Sequence, residues 1–169
     1  MSGGDRRRRA GGEIAGKLKG VMRLFPQGVT VVTTQTKRGP VGLTVSSFTS
    51  VSLDPPLVLV SIGKASDVHG SLVRTGHFAV NLLASDQKRI SERFAGRLDS
   101  KQRFEGVNFY AGTTGSPLIR GALAAIECSV WRVYEGGDHS LVLGEVTSAS
   151  AMANKKPLVY HMQEYTTTA

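Results

Sequence analysis

The stretch GLTVSSFTSVSLDPPLVLVSI, residues 42–62, sets Thr44, Ser46, Ser47, Thr49, Ser50 and Ser52 ahead of a nearly all-apolar run. Small hydroxyls donate and accept single hydrogen bonds without bringing charge. On an apolar wall they suit a planar heterocycle with one polar edge. The ring packs on the wall, and its carbonyls and nitrogens meet hydroxyl and backbone N–H donors. Thr44, Ser46 and Ser47 would lie beside a strand ending Ser61-Ile62-Gly63-Lys64. Lys64 and the start of a helix capped by Ser66 would then offer a positive charge and unpaired N–H groups to a phosphate. The plain alternative is a Ser/Thr-rich exposed strand face.

Other chemistries lack their residues. Cys128 stands in AAIECSVWRV, where Ile126, Cys128 and Val130 share one strand face. That pattern predicts a buried, inert thiol. The four histidines, His69, His77, His139 and His161, show no metal-ligand spacing with one another or with carboxylates. Neither a G-x-G-x-x-G fingerprint nor a Walker pattern occurs, so a nucleotide would be bound without a Rossmann or P-loop device.

Positioning those hydroxyls requires a strand-rich scaffold. Ile14, Leu18, Val21, Met22 and Phe25 recur at helical spacing, so residues 13–25 read as an amphipathic helix stopped by Pro26. GVTVVTTQT and VGLTVSSFTSVSL read as two strands around a KRGP turn, the second one continuous. Asp54-Pro55-Pro56 interrupts pairing, and LVLVSI resumes as a strand apolar on both faces. KASDVHGSLVRTG reads as a helix capped by Ser66, HFAVNLL as a strand, and SDQKRISERFAG as a helix capped by Ser85 and ended by Gly96. Residues 97–120 read as irregular. Residues 122–149 form the clearest hairpin, turning at Glu135-Gly136-Gly137-Asp138, and 157–165 a short last element. Adjoining strands with inserted short helices predict a mainly β, closed or partly closed antiparallel barrel.

The 169 residues suffice for one domain, taken as 13–169, after a basic tail at 1–12 read as disordered. The formal net charge is +8, yet residues 1–23 alone hold seven basic against two acidic side chains. A second basic segment, Lys88–Arg103, has six against two, leaving the rest near neutral. Arg6–Arg9 suit a nucleic-acid arm by charge alone. No aromatic residue stands among them to stack on bases, which weighs against nucleic acid as a partner. A single cysteine fits a reducing, cytoplasmic setting. No apolar run approaches the ~20 residues of a membrane span.

The order and spacing of FPQGVTVVTT, PVGLTVSSFTSVSLDPPLVLVSI, GHFAVNLLASDQ, SERFAG, GSPLIRGALAAIECSVW, EGGDHSLVLGEV and PLVYHMQEY make the chain similar to the short-chain flavin reductase family over about residues 20–165. The resemblance implies an FMN-binding split barrel, a Greek-key-like antiparallel barrel, assembled as a homodimer. It implies hydride transfer from NADH or NADPH to FMN or FAD, and a flavin-dependent monooxygenase that receives the reduced flavin. It places Thr44, Val45, Ser46 and Ser47 along the flavin, with Ser61, Ile62 and Gly63 on the neighbouring strand end. Lys64, Ser66 and Asp67 fall on the phosphate side, while Phe94 and Ala95 close over the flavin. Asp138 and His139, in GGDH, would meet the nicotinamide nucleotide, with Tyr160 at the same mouth. No catalytic acid or base is implied. A flavin- or heme-binding electron-transfer barrel without turnover is the alternative reading.

Overall fold

The computed structural model describes residues 3–152 and 154–168, with side chains from residue 11 onward; those of Arg6–Arg9 lie outside the described residues. The first helix, α1, spans Gly3–Met22, beginning upstream of the amphipathic stretch and ending short of Pro26. Then come strands β1 (Gln27–Gly28), β2 (Thr30–Thr36), β3 (Gly39–Val45), β4 (Phe48–Leu53) and β5 (Pro56–Gly63). Helix α2 (Asp67–Thr75) leads to β6 (His77–Leu82), and a 3-10 turn (Ser85–Gln87) leads to α3 (Lys88–Ala95) and α4 (Ser100–Phe104). The chain finishes with β7 (Phe109–Ala111), β8 (Pro117–Ile119), the long hairpin β9 (Ala124–Gly136) and β10 (His139–Ala151), then β11 (Val159–His161) and β12 (Glu164–Thr166).

Seven strands form one antiparallel sheet in the order β3-β2-β6-β9-β10-β5-β4. It curls until β3 and β5 touch, giving a partly closed barrel. Inside lie Val32, Val60, Ile62, Phe78, Val80, Cys128 and Val142, all fully buried. A second apolar cluster, including Val31, Leu83, Phe94 and Phe104, fills the space on the opposite face of β2. Thus β2 is buried on both faces, as is most of β6. In β5 buried residues alternate with half-buried ones.

Three local expectations are corrected. The stretch expected as one strand, residues 41–53, is two. β3 pairs with β2 and β4 pairs with β5, so the chain must leave one end of the sheet for the other, and it does so at Ser46-Ser47. Ser85 does not cap a helix. The Gln87 side chain accepts from the Ala84 N–H instead, and α3 starts after that turn. Residues 97–120 hold α4, β7 and β8, kept in place by one local cap and by distant partners. Asp99 caps α4, Asn81 takes the Ile119 N–H at 2.7 Å, and the Glu127 carboxylate accepts from the Thr114 N–H at 2.8 Å. The Ser66 cap is present, its hydroxyl accepting from the His69 N–H at 3.2 Å.

Candidate functional site

Leaving β3, the chain puts Ser46 and Ser47 outside both strands. Ser47 is tied back twice: the Ser61 N–H donates to its carbonyl at 3.1 Å, and its hydroxyl donates to the Ser61 carbonyl at 3.0 Å. This crossing forms the rim of a cleft of about 340 Å³ lined by Leu43, Thr44, Val45, Ser46, Ser47, Ser61, Gly63, Ser66 and His139. On its other side, Ser46 and Ser47 border a larger, mostly apolar cleft of about 530 Å³ whose walls include Pro26, Phe48, Leu59 and Leu158. Ser46 and Ser47 therefore stand between the two clefts.

Not every hydroxyl is free. Thr44 donates to the Ser91 carbonyl at 2.7 Å, anchoring α3 to β3, and Ser66 caps α2. The Ser46 and Ser61 hydroxyls have no hydrogen bond among the described residues. Across the cleft, His139 is the register partner of Gly63. The imidazole lies against this strand end, where a Cβ at Gly63 would sit 3.6 Å from His139 Nε2, in ordinary van der Waals contact. Its Nδ1 is 2.8 Å from Asp138 Oδ1. The hydrogen bond and charge of His139 hold the Asp138 carboxyl below its usual range.

Other expected contributors are placed outside the cleft wall. Lys64 Nζ reaches the Glu135 carboxylate and the Gly137 carbonyl at the hairpin tip. The Asp67 carboxylate receives Ser100 Oγ and, at 3.1 Å, Arg103 Nη1. Ile62 is in the barrel interior, and Ala95 is exposed at the end of α3. Phe94 is fully buried and meets Phe104 edge-on, with ring centroids 4.9 Å apart. Tyr160 borders a separate cleft with Met22, Arg23 and Phe25. Sequence reasoning missed Leu43, Ser91, Ser100 and Arg103. Only the alternation of Leu43 with Thr44 and the D-x-x-Q capping pattern before Arg103 carried a signal.

Away from the cleft, Glu127 is 3% exposed. Burial pushes its carboxyl up, but hydrogen bonds from Thr114 and Thr113 leave it below the usual range. Burial, then the neighbouring Glu127 charge, push the Cys128 thiol up to about 12, which keeps this buried cysteine protonated.

Residues 22–169 match the family described as Flavin reductase like domain. The chain is 41% identical over 140 residues to the FMN reductase (NADH) SmoA of Agrobacterium fabrum, covering 83% of this chain and 79% of that one. It is 37% identical over 150 residues to the flavin-dependent monooxygenase reductase subunit HsaB of Rhodococcus jostii, covering 89% and 76%. The solved NADH:FAD oxidoreductase SgcE6 of Streptomyces globisporus, in complex with NAD and FAD fragments, superposes with a TM-score of 0.85 at 40% identity, over 90% of this chain and 91% of that one. The barrel and a match running from Met22 to the last residue agree, and the chain belongs to the flavin reductase like domain family.

Proposed function

We propose that this protein is an NADH-dependent flavin reductase that hands reduced flavin to a flavin-dependent monooxygenase. The observation that carries the reading is the single cleft that gathers Thr44, Ser46, Ser47, Ser61, Gly63, Ser66 and His139 on an antiparallel barrel. Its donor set fits the group. Two free hydroxyls and a segment outside the strand ladder face a trough floored by Leu43 and Val45, a surface for a flat ring with a polar edge. When bound, FMN or FAD supplies the acceptor for a hydride from the nicotinamide, and the reduced ring departs.

The chain's own part is orientation. Ser46 and Ser61 donate to the polar edge of the ring, and Ser47 fixes the crossing that carries them. Lys64 pairs with a cofactor phosphate once it leaves Glu135. His139, steadied by Asp138, directs the nicotinamide nucleotide toward the mouth. No side chain needs to move a proton during hydride transfer, so proximity is the main contribution.

The working unit is a homodimer in the cytoplasm. Support for a second copy comes from α1 and the turn after it, where Ile14, Leu18 and Val21 on the helix and Phe25 just beyond it are apolar and 59–63% exposed. Tyr160 lies on the same cleft as Phe25. Among the described residues no helix is long and apolar enough to cross a membrane.

The test is NADH oxidation in air with FMN or FAD added. Flavin-dependent loss of NADH is expected. Flavin binding without NADH loss would overturn catalysis in favour of an electron-transfer or binding role, and absence of flavin binding would remove the reading altogether. Light scattering on the eluted protein reads the dimer.

A further inference from the structure

Arg103 is the one basic side chain of the 88–103 segment that the fold buries, at 8% exposed. A buried guanidinium needs partners in a fixed fork, because its planar donors cannot be redirected singly. Nη1 donates to the Gly42 carbonyl at 3.0 Å and to Asp67 Oδ1 at 3.1 Å. Nη2 reaches the Gly96 carbonyl at 3.3 Å. Ser100, three residues earlier on α4, donates to the other Asp67 oxygen. Nε is buried with no acceptor among the described residues.

None of these partners lines the cleft itself, but two of them adjoin residues that do. Gly42 is two residues before Thr44 on β3, so both side-chain positions face the same way along that strand. Asp67 directly follows Ser66, the cap of α2, which lines the cleft together with Thr44. Gly96 ends α3, the helix that Thr44 itself holds through Ser91. One guanidinium therefore ties together β3, the start of α2 and the end of α3, two of which carry residues of the cleft, Thr44 and Ser66. Below it, Phe94 and Phe104 pack so closely on β3 that a Cβ at Gly42 would meet Phe94 Cε1 at 2.7 Å.

Resting on the flavin reductase reading, we propose that Arg103 is a positioning residue. Its fork, closed by Asp67, sets the distance between the β3 wall carrying Thr44 and the α2 wall carrying Ser66, and so the width available to the flavin's ribityl phosphate chain. Stability alone is a poor reason for the pair. Asp67 is half open to solvent, where an ion pair contributes little, and the orphaned Nε–H of Arg103 adds a cost. The Asp67 carboxyl is consistent with the clasp. Burial raises it, but Ser100 and the Arg103 charge bring it below its ordinary value. A carboxylate so engaged makes no attractive contact with a phosphate, so its service to the site is through Arg103.

The experiment uses the full chain and begins with the wild type. If wild-type protein fails to oxidise NADH with FMN or FAD, the flavin reductase reading fails and the clasp is not at issue. Given wild-type turnover, Arg103→Met is expected to raise flavin KM about tenfold, the size seen when the support of a site is loosened. Its kcat at saturating flavin should stay within about twofold, and Arg103→Lys should recover part of the loss, keeping charge without the fork. Asp67→Asn guards against a misfolded Arg103 variant, since Asp67 is exposed. It should also weaken flavin, and add little in the Arg103→Met background, because both substitutions open the same clasp. Tighter flavin in Asp67→Asn would mean that the carboxylate only repels the phosphate, overturning the proposal. So would unchanged flavin KM in either folded variant, or additive effects in the double variant.

Discussion

Ser47 and Ser61 hold each other by two reciprocal hydrogen bonds, backbone N–H to carbonyl at 3.1 Å and hydroxyl to carbonyl at 3.0 Å. The first bond survives any substitution and keeps the crossing from β3 to β4 in place. The second belongs to the side chain alone and orients it on the cleft rim. Ser47→Ala should therefore change stability by no more than about 1 kcal/mol, since the site is exposed. Flavin KM should rise about two- to tenfold, the worth of one neutral hydrogen bond. Thermal melting and steady-state kinetics read the two effects. A large stability loss with unchanged KM would show that the residue merely braces the fold.

Lys64 makes a different kind of claim, because its ammonium is already taken by Glu135. Hydrogen bonding and the charge of Lys64 hold the Glu135 carboxyl below its usual range. A phosphate arriving at Lys64 must compete with that carboxylate. Glu135→Gln should tighten flavin by about two- to fivefold at low salt, and Lys64→Met should weaken it. Both effects should shrink as salt is raised. Titration of each variant with FMN at two salt concentrations decides. Shifts of the same sign in both variants would remove Lys64 as the phosphate partner.

How much of this was legible in the sequence depended on how local its causes are. Ser66 announced itself as a cap because capping is decided within four residues. The hairpin at Gly136-Gly137 did so because Gly137 adopts a positive φ of 74°. The break at Ser46-Ser47 left no such mark. The run on either side is β-forming throughout, and only the pairing of β3 with β2 and of β4 with β5 dictates it. Phe94 shows the same limit inside the site. Its spacing from Ile90 placed it on the apolar face of α3, whereas its family position suggested a flavin contact. The edge-on packing with Phe104, ten residues on, puts the ring in the core. Arg103 read as one more surface charge, because the carbonyls of Gly42 and Gly96 that receive it have no signature in the sequence.

Acid should loosen the fold through two carboxylates. Asp67 and Glu127 both sit below their ordinary values of 3.8 and 4.5. For each, burial raises the carboxyl and hydrogen bonds or charge more than reverse it. A carboxyl depressed on folding contributes stability that is complete above its unfolded value and is lost as pH falls through its folded value. The wild type should therefore hold its urea midpoint down to about pH 4.5 and lose it progressively below. Glu127→Gln should already be weaker at neutral pH by roughly 1–3 kcal/mol, the range for losing bonds to a buried charge. It should also show a shallower acid slope, having no charge left to lose. Identical slopes for the two proteins would exclude Glu127 as a source of acid sensitivity.

Gly42 joins the packing beneath the site to the geometry above it. A Cβ there would lie 2.7 Å from Phe94 Cε1 and 3.2 Å from Phe104 Cζ, and Phe94 is fully buried with no room to retreat. Gly42→Ala must push β3 away from α3 and α4 or force Phe94 off its rotamer, at a cost of about 1–3 kcal/mol. Either response moves the carbonyl that Arg103 holds, two residues from Thr44. Lower stability and raised flavin KM should therefore appear together. Trimming the obstructing ring in the double variant Gly42→Ala with Phe94→Leu should restore part of both. If the single variant loses stability while flavin KM and kcat stay at wild-type values, packing under β3 and the width of the cleft are independent.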